Sequence, residues 1–323
     1  MSVHTLDIDS GERDPVAYPN PGDYVVELKN PIYNVSKISL VSARIHASQL
    51  LINDRNNTFS VNGTTISLPN ENYSGNELAS ELLSKFQAAA AVPISTATYD
   101  KSKNDLTFGG DGTAQFTFEF YGGNNGFNTG SEGLTTPHDI LGLPASNVTS
   151  VNNTLTTGSI NLQGPDALVL KISSGAEELN KTVYSDTPFY TGRILMCGDV
   201  INYSGVDDTV EHTFESGSQN ISKLRIQFFY SSNNRLIPYD FRNANHVLKL
   251  SIDGAVDKLS RVPMVKKGTE LQNEERTEGY RLPPNIQSRV DDLNKWNGFV
   301  YIFLIILTGC FFMVFTKPRK FSE

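Results

Sequence analysis

The chain has 323 residues and a formal net charge of -8, from 27 Lys and Arg interspersed with 35 Asp and Glu. That length exceeds the usual size of one domain and allows a sizeable core. The scattered, net acidic charge excludes the broad basic face that direct DNA or RNA binding needs, and two cysteines, Cys197 and Cys310, exclude a disulfide-stapled scaffold.

The opening MSVHTLDIDSGERD has neither a basic n-region nor an apolar h-region, so no cleavable signal peptide is expected. Residues 1–22 read as an extended N-terminal arm, because Pro15, Pro19 and Pro21 forbid regular helix. Tyr18, Pro19 and Pro21 are its candidate partner contacts, by strand addition or wrapping. The first part of a β-sandwich is expected over 23–57, with strands beginning at Tyr24–Leu28, Ile38–Ala43 and His46–Ile52.

An inserted unit is predicted over 58–143. Asn62-Gly63 suits the positive backbone angles of a type I′ hairpin turn between Thr58–Val61 and Thr65–Leu68. Ser74 stands three residues before Glu77 as a capping box, and Leu78, Leu82, Leu83 and Phe86 recur on one helical face before Pro93. Strands at Ser95–Tyr99, Leu106–Phe108 and Gln115–Tyr121 complete a ββαββ-like unit, with a Gly- and Asn-rich loop from Gly122 to Gly133. The second part of the sandwich is expected over 144–257, with strands at Ala167–Ile172, Arg193–Met196, Val210–Phe214, Lys223–Tyr230 and His246–Ile252. Leu224, Ile226 and Phe228 alternate with polar neighbours as a half-buried strand requires. Long polar connections between such strands favour a jelly-roll-like sandwich over a tight meander.

Residues 258–295, with Pro263, Pro283 and Pro284, form a mixed-charge polar tether. As a flexible coil it would span roughly 35 Å, and about 120 Å fully extended. The run Gly298–Thr316 then carries no charged side chain. At about 1.5 Å per residue it makes a helix of roughly 28 Å, the thickness of a bilayer's hydrocarbon. A transmembrane helix is therefore predicted over 296–316, with a basic tail over 317–323. Trp296 and Tyr301 mark one interface, Phe299, Phe303, Ile306, Phe311, Phe312 and Phe315 face lipid, and Lys317, Arg319 and Lys320 reach the headgroups at the other side.

Residues that carry catalytic chemistry are not grouped. His4, His46, His138, His212 and His246 lack zinc-site spacing. Asp7, Asp9 and Asp14 around Gly11 alternate as in a calcium loop, but the glycine is displaced and no bidentate Glu closes the set. Asp199, Asp207, Asp208 and Glu211 read as solvated loop charge, or as a carboxylate cluster if their loops converge. No GxSxG elbow, P-loop or dinucleotide glycine pattern occurs, so no enzyme, cofactor, metal site or small-molecule substrate is expected.

The runs IDSGERDPVAYPNPGDYVVEL, ISLVSARI and NNTFSVNGTTISLPNENYSGNELASELLSKF, and later LRIQFFYSSNNRLIPYDFRNANHVLKLSID, resemble minor capsid and vertex-type proteins of large icosahedral double-stranded DNA viruses, such as those of algae. The resemblance implies a jelly-roll body with an inserted small domain beneath a capsid shell, and no catalytic residues. With the apolar run it implies a minor capsid protein located in the virion between the outer shell and an internal membrane, its partners being the major capsid protein, other minor capsid proteins and the lipid bilayer. The alternatives are a membrane-anchored jelly-roll module that binds a host receptor or glycan, and a vertex-type capsid protein.

Overall fold

The structure, a computed structural model, describes residues 2–254 apart from 113, 176, 180–187, 197, 205–209 and 215–218, together with 306–307. The chain divides into two compact units, 1–261 and 262–323. Of the anchor residues only Ile306 is described, and with Leu307 it is helical; the tether and the rest of the predicted transmembrane run lie outside the described residues. Among the described residues no helix is long and apolar enough to cross a membrane.

Two strands open the chain, β1 (Ser2–Asp9) and β2 (Asp23–His46). A second group follows: β3 (Thr58–Val61), β4 (Thr64–Ser67), helix α1 (Gly75–Ala88), β5 (Ile94–Asp100), β6 (Asp105–Gly110), β7 (Thr117–Glu119), β8 (Asn147–Thr149) and β9 (Thr154–Thr156). The chain then returns through β10 (Ala167–Ser174), β11 (Glu177–Glu178), β12 (Gly192–Leu195), β13 (Val200–Tyr203), β14 (Glu211–Thr213), β15 (Gln219–Ser232), β16 (Arg235–Pro238) and β17 (Val247–Gly254).

The protein is mainly β, and its pairings are antiparallel. β2 is the hinge of an antiparallel β-sandwich. Its first half, from Asp23, pairs with β15, which pairs in turn with β10. Its second half, to Arg44, pairs with β17, which pairs with β1, and β13 and β14 line the far side of that second half. The change of sheet falls at Pro31–Val35. Pro31 has no N–H to give a ladder, Asn34 has a φ of 57°, and the register against β15 slips twice there. Inward residues of the two layers then share one core, Leu40, Leu248, Leu250 and Ile252 with Leu168, Leu170, Leu224 and Ile226.

The expected strands at Tyr24–Leu28 and Ile38–Ala43 are thus two halves of one 24-residue strand. His46–Ile52 is not a strand beyond His46. Leu51 and Ile52 belong to a second core, and Ile52 exchanges main-chain hydrogen bonds of 3.1 and 3.0 Å with Glu71. The stretch read as an arm also divides: residues 2–9 are β1, within the sheet, and only 10–22 run free of strand.

That second core belongs to the insert. Asn62 and Gly63 have φ of 47° and 75°, as a type I′ turn requires. Ser74 and Glu77 form the reciprocal capping box, and α1 buries Leu78, Ala79, Leu82 and Phe86. Phe116, Phe118 and Phe120 all point inward onto Phe59 and Phe108. The insert's sheets run past residue 143: β8 joins β7, and β9 joins β6.

Candidate interaction surface

Two places among the described residues combine a cavity with polar groups. At the first, β1 ends in a short 3₁₀ turn, Ser10–Glu12, whose Gly11 N–H donates to the Asp9 carboxylate at 2.8 Å. Ser10 and His246 are tied twice, by Ser10 N to His246 O at 3.0 Å and by His246 N to Ser10 Oγ at 2.8 Å. Arg13 clasps the segment, donating to Ser10 O (2.7 Å), Asn245 Oδ1 (2.9 Å), Tyr18 O (2.9 Å) and Pro19 O (3.3 Å). Of the predicted contact residues, Tyr18 is half-buried against the sandwich core, Pro19 is exposed and Pro21 is buried. Asp14 accepts from Val16 N and Asp7 lies 3.5 Å from Lys249, so the carboxylates considered for calcium cap turns and pair with lysine.

Beside this clasp lies a groove of about 500 Å³ between the end of β1 and the start of β2. Ile8, Tyr18, Tyr24 and Val26 line it, and Asp7, Asp9, Glu12, Asp14 and Glu27 surround it. Glu27 is paired with Lys223 at 2.5 Å. Among the described residues, Asp9, Glu12 and Asp14 have no ion pair.

Behind the groove, His246 is packed at 4.7 Å from both Phe228 and Phe241, with Nε2 3.0 Å from the Tyr24 hydroxyl and Nδ1 without a partner. Burial pushes its pKa down to about 4, the Arg13 charge pushes the same way, and Asp9 opposes both. Burial raises the Tyr24 phenol well above its ordinary value. Both side chains are therefore neutral near pH 7.

The second place lies between sandwich and insert, a cavity of about 320 Å³ lined by Asn56, Asp139, Asn161, Asp166 and Tyr230. The Tyr230 hydroxyl is buried without a partner, while Thr135 Oγ1 and Ser232 Oγ bridge the two parts at 2.7 Å. Arg235 straps them, donating to Ser131 O at 3.2 Å, to Leu134 O at 3.4 Å and to Phe127 O, with its guanidinium 5.0 Å from the Phe127 ring.

The histidines stay apart. His4 and His46 are exposed, His138 sits 3.2 Å from Asp139, and His212 packs on Phe214. Among the described residues no three His, Cys, Asp or Glu are grouped to hold a metal. Of the acidic loop cluster, Glu211 pairs with Lys37 at 2.5 Å, and Asp207 and Asp208 lie outside the described residues, as do both cysteines.

Tyr18, named from the sequence as a candidate partner contact, lines this groove; the groove itself was not foreseen. The available signal was the alternation of His4, Leu6 and Ile8 ahead of the prolines, which marks β1 as a strand with an inward face.

Residues 2–109 match the model of a family described as a family of unknown function, DUF5901. No curated protein matches the chain. Among solved structures, the crystal structure of the mavirus penton protein resembles it at 8% identity and a TM-score of 0.38, over 79% of this chain and 100% of that one. A chain of the Sputnik virophage cryo-EM structure resembles it at 12% identity and 0.34, over 78% and 98%.

Proposed function

We propose that the chain is a structural protein of a virus particle, a minor capsid protein whose β body docks under the major capsid shell and whose C-terminal apolar run ties that shell to an inner membrane. The observation that carries this reading is the pairing, in one chain, of a β-sandwich whose β1 edge has no further strand among the described residues with an uncharged apolar run, Gly298–Thr316, beyond the polar residues 258–295. The first offers a contact to protein, the second a contact to lipid. The resemblance of the N-terminal and closing runs to capsid proteins supplies the particle, and a jelly roll is the wiring that fits two layers joined through β2. Its partners on this reading are major and minor capsid subunits and the bilayer, and its role is structural, without a catalytic step.

Cross-linking mass spectrometry on intact and detergent-treated particles tests it. Cross-links from the β body to capsid subunits, kept after lipid is removed, support the bridge; absence from particles sinks it. A second reading, a membrane-anchored module for a receptor or glycan, is favoured by the aromatic rings of Tyr121 and Phe189, which are 51% and 58% exposed on loops. Protease cleavage of the body on intact particles would favour that module, because the bridge keeps the body inside the shell.

A further inference from the structure

The groove beside the Arg13 clasp is bordered by two sheet edges, and we infer that it is a docking site for an extended strand of a partner chain in which apolar side chains alternate with Lys or Arg. Among the described residues β1 is the last strand of its layer, hydrogen-bonded only to β17. Among the same residues the first half of β2 is hydrogen-bonded only to β15. Two edges therefore present unpaired main-chain groups to the same seam, about 27 Å long for an eight-residue strand. Natural sheets rarely leave such edges unguarded, and main-chain pairing is the usual source of affinity in strand addition.

The apolar content of the seam points the same way. Among the described residues six partly buried apolar side chains pack at the margin of the sandwich core, and five of them, Leu6, Tyr18, Val26, Leu28 and Ile32, come from β1, the clasp and the first half of β2. The core is thus least covered along this seam. Every second side chain of an added strand would face those residues.

Charge selects the remaining side chains. The groove's border carries Asp7, Asp9, Glu12, Asp14 and Glu27; Lys249 and Lys223 answer Asp7 and Glu27, Arg13 is turned to three carbonyls and Asn245, and Asp9, Glu12 and Asp14 have no ion pair among the described residues. Lys or Arg at alternate positions, roughly 7 Å apart along a strand, meets that border and gains opposite-charge pairs. An acidic strand is repelled, and so is a second copy of this seam, which would bring the same carboxylates. The border that guards the edge against self-association also chooses its occupant.

The inference stands apart from the particle reading, since a chain missing from particles can still bind such a strand; the two fail separately. Hydrogen exchange measured by mass spectrometry on the full chain in mild detergent tests it, with acetyl-KVKVKVKV-amide as probe. Exchange of residues 2–9 and 23–34 should slow at least tenfold, and should not with acetyl-EVEVEVEV-amide or the blocked isomer acetyl-KKKKVVVV-amide. The double variant Glu12→Lys, Asp14→Asn, at two carboxylates without an ion pair among the described residues, should lose that protection while β10 and β15 exchange as before, which shows the body still folded. No protection by the probe, equal protection by the blocked isomer, protection confined to other segments, or full protection of the double variant each overturns it.

Discussion

His246 lies between Phe228, Phe241 and Tyr24, and its main chain holds Ser10, so its protonation state bears on how the clasp packs. In the unfolded chain its imidazole takes up a proton near the ordinary 6.5, whereas in the folded protein it stays neutral down to about 4. Its contribution is therefore fully present above pH 6.5, is lost as pH falls from 6.5 towards 4, and levels off below. The gap is worth about 3 kcal/mol at most. Urea unfolding of the wild type and of His246→Phe at pH 7.5, 5.5 and 4.5 should show a smaller loss of stability on acidification in the variant; parallel losses would assign the acid sensitivity to other groups. In the second core, Phe118 touches five rings, at centroid distances of 5.1 to 6.1 Å. Phe118→Ala leaves a cavity that so many neighbours cannot jointly close, and should cost about 3–5 kcal/mol by denaturant melts.

At the scale of elements, local chemistry was readable wherever a few neighbouring residues determine a conformation. Asn62-Gly63 dictates its hairpin, and Ser74 with Glu77 dictates the start of α1. Hydrogen bonds from Ser74 lower the Glu77 pKa, and Ser74→Ala should destabilise the insert by about 1 kcal/mol in thermal melts. Alternation in Leu224, Ile226 and Phe228 likewise marked the centre of β15. The elements that escaped the reading depend on distant partners. β1 pairs with β17, Ser2 opposite Gly254, and β8 and β9 are three-residue strands that exist only because β7 and β6 receive them. The groove was illegible for the same reason. Arg13 looks like an isolated loop charge until Asn245 is brought to it from 232 positions away. Arg235 is a comparable case, tying the β15–β16 hairpin to the loop 127–134. Arg235→Ala should remove about 1–2 kcal/mol and speed exchange in 127–134 more than in β15; uniform acceleration would mean it supports the whole body rather than that contact.

For the whole molecule, the proposed bridge needs both a protein contact and a lipid contact, because joining two modest contacts through one chain raises the effective concentration at each. The lipid contact can be tested by position along the apolar run. Ile306 lies close to the middle of Gly298–Thr316 and Phe299 lies at its start. A Lys at the centre of a spanning helix costs roughly 2.5–3.5 kcal/mol on insertion scales, whereas near an end its long stem carries the ammonium to the interface. Ile306→Lys should therefore greatly reduce co-flotation of the full chain with phosphatidylcholine vesicles, and Phe299→Lys should leave most of it. A segment that only lies along the surface, or that packs into protein, has no such centre-to-end gradient. Equal loss in the two variants would remove the membrane-spanning assignment while leaving the β body and its groove unaffected.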